Sequence, residues 1–202
     1  MKLVVGLGNP GNQYERTRHN AGFWWVGRLA NTARVALHGD GKFHGRVAKF
    51  APVSAAWLLM PDTFMNNSGR AVAAMAAFYR IEPREILVVH DELDLVPGVV
   101  RLKFGGGASG HNGLKDIMEQ LGSRDFWRLR IGIGHPRDTA TEQEVVDYVL
   151  HAPRADEQPQ IDDAIARSLE VWPLLAEGKH ETAMLRLHTK PAKSKELGVR
   201  GE

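Results

Sequence analysis

Short apolar runs along the chain alternate with longer segments in which apolar residues recur every three or four positions. The runs predict strands at residues 3–7, 46–50, 56–60, 86–90, 99–104 and 129–133. The periodic segments predict helices at residues 21–37, 68–80, 113–121, 142–150 and 161–176. Such alternation is typical of an α/β fold, and here it predicts a twisted mixed, mostly parallel sheet flanked by helices. We expect the functional site where loops leave the carboxyl ends of the strands.

The length and charge distribution predict one domain followed by a short tail. The chain has 202 residues, of which 43% are hydrophobic, and this supplies one sizeable core more readily than two. We therefore expect a single α/β domain over residues 1–188. The net charge of +2 resides in the last part of the chain, since residues 179–202 carry six basic and three acidic side chains. Residues 189–202 are expected to form a flexible basic tail whose ordinary role is solubility.

Composition excludes several classes of protein. Cysteine is absent, which rules out disulfide scaffolds, thiol catalysis and thiolate metal sites. No apolar run approaches the length of a membrane span, and the first residues enter a strand pattern without the layout of a signal peptide. We expect a cytoplasmic protein without a membrane partner.

The segment from Gly6 to Gly11 matches the G-x-G-x-x-G pattern directly after a predicted strand, so dinucleotide binding has to be considered. A dinucleotide site needs a helix that starts inside the motif and an acidic residue at the end of the next strand. Pro10 and Gly11 do not start a helix, and the next strand ends at Lys49 and Phe50 without a carboxylate. A strand-to-loop turn in which Asn9 caps the backbone is the favoured interpretation.

Two polar segments lie where the loops of an alternating fold converge. His19 comes just before a predicted helix, and Asp91 follows the most apolar predicted strand. A histidine paired with an aspartate is the simplest device for making water nucleophilic, because the carboxylate orients the ring and stabilises the imidazolium. Each residue alone is more commonly solvated or a cap, so the pairing is a hypothesis.

Two further loops carry amides and glycines. Asn66 precedes the alanine-rich helix, where it is explained by turn chemistry with Ser68 as a cap, or by an amide that faces the site. The glycine-dense segment 104–113 runs from a strand into a helix that begins near Asn112. Together with Lys103 and Lys115, its free amides suit an anionic or carbonyl-bearing ligand, although no nucleotide P-loop sequence follows.

Metal binding is the competing chemistry, because the chain contains nine histidines. No H-E-x-x-H pattern is present, and a closed structural zinc site usually has cysteine ligands, which this chain lacks. We predict no metal and no cofactor.

The order of these segments carries more information than any one of them. The chain contains, in sequence, G-L-G-N-P-G, T-R-H-N-A-G-F, F-M-N-N-S-G, H-D-E-L-D, G-G-G-A-S-G-H-N-G-L and R-L-R-I-G-I-G-H-P. Over residues 2–136 this order closely resembles the bacterial peptidyl-tRNA hydrolase family. The resemblance implies a single α/β domain, a monomer, and metal-independent hydrolysis of the ester that joins a peptide to the 3′ ribose of transfer RNA.

The resemblance also assigns expected roles to residues of this chain. His19 is expected to be the catalytic base and Asp91 its partner, while Lys103 and Arg130 hold the 5′ phosphate of the transfer RNA. The expected lining of the channel for the peptide and the terminal adenosine consists of Asn9, Tyr14, Met65, Asn66 and Asn112. Ser109 departs from the family, which usually has glycine there, and this affects the expected flexibility of the loop before Asn112.

A second class of function stays open at this stage. The same scaffold could bind transfer RNA or a nucleotide without turnover. The pairing of His19 with Asp91 favours the esterase, because a binding protein needs no such pair.

Overall fold

The computed structural model describes residues 1–50, 56–139 and 143–189. The strands are β1 (Leu3–Gly6), β2 (His38–Asp40), β3 (Gly45–Phe50), β4 (Ala56–Pro61), β5 (Ile86–Glu92), β6 (Val100–Phe104) and β7 (Trp127–Gly132). The helices are α1 (Ala21–Ala33), α2 (Ser68–Tyr79), α3 (Asn112–Leu121), α4 (Val145–Val149), α5 (Gln158–Leu169), α6 (Trp172–Ala176) and α7 (His180–His188). None of the helices in these ranges is long and apolar enough to cross a membrane.

The strands form one mixed sheet in the order β2-β3-β4-β1-β5-β7-β6. The four central strands, β4, β1, β5 and β7, are parallel, whereas β2, β3 and β6 join the two edges in antiparallel pairs. This architecture confirms the predicted α/β class with a mostly parallel sheet. The predicted basic tail lies outside the described residues apart from Thr189, so its flexibility stays a prediction.

The core has two halves because the side chains of a strand alternate between the faces of the sheet. Val4 of β1 contributes to a cluster that contains Trp25 of α1 and Trp172 of α6. Val5 contributes to the other cluster, which contains Met75 of α2. Both faces are therefore covered, which is why β1, β4 and the first part of β5 are apolar on both sides.

Several predicted boundaries are wrong for local reasons. The first strand ends one residue early at Gly6, and α1 ends at Ala33 because Arg34 adopts a left-handed φ of 55°. The single helix predicted over 161–176 is two helices, with Pro173 in the first turn of the second, where its missing N–H is tolerated. The helix predicted over 142–150 is the short α4, and Glu142 itself lies outside the described residues.

The start of α1 packs unusually closely on the sheet. A side chain at Gly22 would collide with the backbone oxygen of Val89 in β5 and with the backbone of Leu7 after β1. Glycine is therefore required at this crossing. Because His19 lies in the turn that leads into α1, this contact also fixes the turn beside the end of β5.

Candidate active site

His90, Asp91 and Glu92 lie at the carboxyl end of a strand. These residues are the last three of β5, and they pair in parallel register with Arg130, Ile131 and Gly132 of β7. The expectation that Asp91 follows the strand is therefore wrong, because backbone pairing with β7 continues beyond the apolar run. The strand places the Asp91 side chain on a rigid element, where it is 3% exposed.

Asp91 joins two histidines from different parts of the chain. Its carboxylate oxygens each lie 3.0 Å from Nδ1 of His19. Oδ1 also lies 3.1 Å from Nε2 of His111, whose Nδ1 accepts a hydrogen bond from the backbone of Leu114 in α3. The His111 ring is therefore held from both sides, with its Nε2–H donating to Asp91. The structure thus brings the two predicted residues, His19 and Asp91, into direct contact.

The charges of this cluster follow from its burial. Burial alone raises the pKa of Asp91, but the charges and hydrogen bonds of His19 and His111 hold it well below its usual range. Burial lowers the pKa of His19, whereas the charge and hydrogen bond of Asp91 raise it, and the net pKa lies above the ordinary value. Asp91 is therefore an ionised carboxylate, and its charge polarises the imidazole of His19.

A neighbouring histidine has a different environment. His90 is fully buried, and burial together with the nearby His111 lowers its pKa to about 3. Its Nδ1 lies 2.6 Å from the backbone oxygen of Asp91, and it donates its proton there. His90 is therefore a neutral side chain that supports the backbone beneath Asp91.

The protonation pattern leaves one nitrogen of His19 available. With Nδ1–H donating to Asp91, the lone pair of Nε2 is directed away from the carboxylate. The side chain is 12% exposed, so this nitrogen is accessible from the cleft that His19 lines. An imidazole held in this way can accept a proton from water.

A hydrogen-bonded frame holds Asn9 beside His19. The backbone N–H of Asn9 donates to Oδ1 of Asn20 at 2.8 Å, and Nδ2 of Asn20 donates back to the Asn9 oxygen at 3.0 Å. Oδ1 of Asn9 accepts from the backbone N–H of Met65 at 2.8 Å. The interpretation of Asn9 as a local turn cap is therefore incomplete, because its side chain joins two separate loops.

The cleft at this edge of the sheet has a volume of about 540 Å³. Six of the predicted site residues line it: His19, Asp91, Asn9, Met65, Asn66 and Asn112. Tyr14 does not, but its ring packs edge-on against the cleft residue Phe64, with 6.2 Å between the centroids. One side of the cleft, here called the apolar wall, consists of Val145, Val146, Val149 and Leu150.

The two residues that are predicted to bind the 5′ phosphate lie outside this cleft and within strands. Lys103 is exposed on β6, and Arg130 is half-buried in β7, where its Nε donates to Oε2 of Glu92 at 2.8 Å. Lys103 lies one residue before the end of β6, and Arg130 lies two residues before the end of β7. Arg130 is positioned by an ion pair that its sequence neighbourhood does not reveal.

The glycine-rich loop is held in place by one buried arginine. Arg128 of β7 is 3% exposed and donates to the backbone oxygens of Gly106 and Gly107. Further along the loop, Ser109 has a φ of +49°, a left-handed conformation that costs a residue other than glycine roughly 1–2 kcal/mol. Ser109 is therefore accommodated with strain beside the cleft that it lines.

The segment after β1 does not form a dinucleotide site. After Gly11 the chain makes a single 3₁₀ turn over Asn12–Tyr14, and the next α-helix starts only at Ala21. The helix therefore does not start inside the motif, as a dinucleotide site requires, in agreement with the interpretation of this motif as a turn.

A metal ion has one candidate location among the described residues. Ligand atoms of His19, Asp91 and His111 lie within 4.8 Å of one another. The hydrogen bonds among these groups already account for their proximity. The prediction of a metal-free site stays a prediction.

Comparison with known proteins assigns the family. The sequence profile of the peptidyl-tRNA hydrolases matches residues 3–195. The chain belongs to the peptidyl-tRNA hydrolase family. This hydrolase is 63% identical over 190 residues to the peptidyl-tRNA hydrolase of Nitrosospira multiformis, with coverage of 94% of this chain and 98% of that one. Its identity to the Thiobacillus denitrificans protein of the same name is 57% over 194 residues, with coverage of 96% and 93%.

A solved structure gives the same result. The hydrolase superposes on the crystal structure of Acinetobacter baumannii peptidyl-tRNA hydrolase with a TM-score of 0.88 and 46% identity, covering 95% of this chain and 97% of that one. The resemblance drawn from the six ordered motifs is therefore confirmed, and with it an ester hydrolase that acts on peptidyl-tRNA.

Sequence reasoning on this hydrolase misses three parts of the site. It does not predict the bond from His111 to Asp91, the Asn20 side chain that holds Asn9, or the apolar wall. A partial signal exists for the first two. His111 occupies the cap position before a predicted helix, and Asn20 lies next to His19 in the same motif. The wall depends on packing between distant segments, which local sequence does not reveal.

Proposed function

We propose that His19 is the general base that deprotonates water for attack on the ester of peptidyl-tRNA. The observation that carries the proposal is the contact of His19 Nδ1 with both carboxylate oxygens of Asp91 at 3.0 Å. Asp91 fixes the tautomer and stabilises the imidazolium that forms when water loses its proton. The imidazolium can then return the proton to the leaving ribose oxygen.

The amides around His19 supply the donors that a tetrahedral oxyanion needs. Because Oδ1 of Asn9 accepts from Met65, its Nδ2 group is left to donate into the cleft. Asn66 and Asn112 line the same cleft on exposed positions and offer further amide donors to the peptide or the oxyanion. Tyr14 and Phe64 offer aromatic surface at the rim for the terminal adenosine.

The first prediction concerns the free amino group of the substrate. Cleft residues such as Asn9 and Met65 provide amides and apolar contacts, which do not compensate the burial of an ammonium group. The two carboxylates of the cleft, Asp91 and Glu92, are already paired with basic side chains. We expect N-acetylaminoacyl-tRNA to be cleaved much faster than aminoacyl-tRNA, with and without a chelator. Release of the labelled amino acid measures both rates. Equal rates would contradict this account of selectivity, and binding without release would favour the alternative of a non-catalytic RNA-binding protein.

The second prediction concerns pH. Only neutral His19 can accept a proton, so kcat/KM is expected to rise with pH through the pKa of this imidazole and then level off. Because Asp91 raises that pKa, the midpoint is expected above the ordinary histidine value of about 6.5. Initial rates between pH 5 and 9 at low substrate concentration measure it, and a flat profile would speak against His19 as the base.

The basic pair, Lys103 and Arg130, is proposed to hold the 5′ phosphate of the transfer RNA. In the antiparallel register Lys103 lies opposite Arg128, and Arg101 lies opposite Arg130, so all four basic side chains share one face of the sheet. Glu92 occupies Nε of Arg130, which leaves the terminal nitrogens for a phosphate.

The third prediction separates binding from chemistry at the basic pair. Lys103→Ala is expected to raise KM and leave kcat nearly unchanged, because the phosphate is remote from the ester. The substitution should also make the association constant for transfer RNA less dependent on salt, reducing the slope of its logarithm against the logarithm of the salt concentration by about one unit. The exposed Lys49, on the far side of the sheet in β3, provides a matched Lys49→Ala control. If Lys103→Ala raised KM as much on a short 3′ fragment without a 5′ phosphate as on the full-length substrate, the assignment of Lys103 to the phosphate would be refuted.

We further propose that the protein acts as a monomer in the bacterial cytoplasm. Sedimentation of the purified protein with and without transfer RNA tests the first part. A dimer that persists at low concentration would overturn it.

A further inference from the structure

The residue next to His19 connects the catalytic turn to the apolar wall. Arg18 is 4% exposed, and its backbone N–H donates to the oxygen of His151 at 3.0 Å. Its Nη1 lies within hydrogen-bond distance of three backbone oxygens that follow the middle of α4, those of Tyr148, His151 and Ala152, at 3.2, 3.3 and 2.9 Å. One buried side chain thus binds the carbonyl of Tyr148 in the last turn of α4 and the two carbonyls of His151 and Ala152 just beyond the helix.

Two further contacts fix the guanidinium itself. Nη2 of Arg18 donates to Oε2 of Glu157 at 2.7 Å, and Glu157 is only 5% exposed. The guanidinium carbon lies 4.0 Å from the centroid of the Tyr148 ring, whose hydroxyl donates to the oxygen of Ile133 beyond β7. A planar, always charged fork is required for this combination, so lysine cannot reproduce it.

The position of α4 depends on these contacts. The helix has five residues, too few to be stable without packing against the rest of the protein. It nevertheless presents Val145 and Val146 toward solvent, at 39% and 66% exposure, where both line the cleft. Exposed valines beside a catalytic cleft are explained if a ligand with apolar groups covers them.

We propose that Arg18 is a positioning residue that anchors α4 to the turn of His19 and thereby sets the apolar wall against which the peptide part of the substrate packs. This inference rests on the proposed function. It predicts that the hydrolase prefers esters with an apolar side chain, and that the preference depends on Arg18 although Arg18 touches no substrate.

The experiment compares two esters on the same transfer RNA, N-acetyl-leucyl and N-acetyl-glycyl. Burial of a leucine side chain against the wall is expected to give the wild type a preference of roughly tenfold in kcat/KM. In Arg18→Lys the preference is expected to fall to about twofold, mainly through KM for the leucyl ester. The ratio is the decisive readout, since partial unfolding lowers the rates on both esters equally and leaves it unchanged.

Two other variants complete the design. Val146→Asn alters the wall at an exposed position, so it should keep the fold and lower the preference by itself. Arg28→Lys is the matched control, because Arg28 pairs with Asp162 between α1 and α5 at a half-exposed position and does not contact α4. Its preference is expected to equal that of the wild type.

The outcomes discriminate between the possibilities. A wild type that cleaves both esters at equal rates, or a Val146→Asn variant with unchanged preference, would show that the wall does not bind the peptide. A lowered preference in Val146→Asn with an unchanged one in Arg18→Lys would overturn the role of Arg18, as would an equal loss in Arg28→Lys. If Arg18→Lys does not fold, Glu157→Gln, which weakens the anchor by removing the charged partner of the fork at nearly the same size, replaces it with the same expectation. Failure of the proposed function looks different, because the wild type would then cleave neither ester.

Discussion

Replacement of His19 by alanine is expected to abolish measurable turnover of N-acetylaminoacyl-tRNA. General-base catalysis contributes roughly 10²- to 10⁴-fold to rate, and we expect a loss near the upper end because the methyl group of alanine cannot accept a proton from water. The fold should be retained, since Asp91 keeps its hydrogen bond from His111 and the removed ring leaves space at the cleft surface.

Single-turnover rates and thermal unfolding of the His19→Ala variant measure the two effects. His38→Ala provides the control, because His38 lies exposed on the edge strand β2 and should affect neither quantity. A near-normal kcat in the His19 variant would exclude this imidazole as the base.

Substitution of Asp91 by asparagine is expected to have the second largest effect. An amide can still hold the His19 ring but cannot stabilise its positive charge, so kcat should fall by about 10² or more. The variant should also shift the pH profile. Because the Asp91 charge raises the pKa of His19 and burial lowers it, removal of the charge should move the midpoint of kcat/KM to lower pH.

The pH profile of Asp91→Asn, measured beside that of Asp94→Asn, checks this expectation. Asp94 lies three residues further along, is exposed, and pairs with Arg137 away from His19. An unchanged midpoint with reduced kcat would mean that Asp91 acts on the orientation of the ring alone.

The sheet and its main helices could be predicted because burial leaves a periodic pattern in the sequence. Each predicted strand contains residues of a strand in the structure, and Ile86–Glu92 is fully buried. The elements that were missed lack such a pattern. His38–Asp40 is an exposed edge strand whose formation depends on its pairing with Gly45–Phe50, and the nine-residue helix His180–His188 buries only Ala183 and Leu187.

The same reasoning applies to the site. His19 and Asp91 could be paired in advance because both lie near loops that converge at one edge of a parallel sheet. The partners of Arg130 and Arg18 could not be predicted, because Glu92 and Glu157 lie 38 and 139 residues away in the sequence. Ion pairs of this kind are set by the register of strands and by the packing of helices, and local sequence determines neither.

The close crossing at Gly22 gives the catalytic geometry a dependence on a residue without a side chain. Any larger residue there must push the start of α1 away from Val89 and Leu7, and the turn that carries His19 moves with it. A screen of random variants for loss of activity should therefore recover position 22 together with positions 19 and 91. Read without the structure, such a screen would name a glycine as part of the catalytic machinery, although its contribution is to leave room.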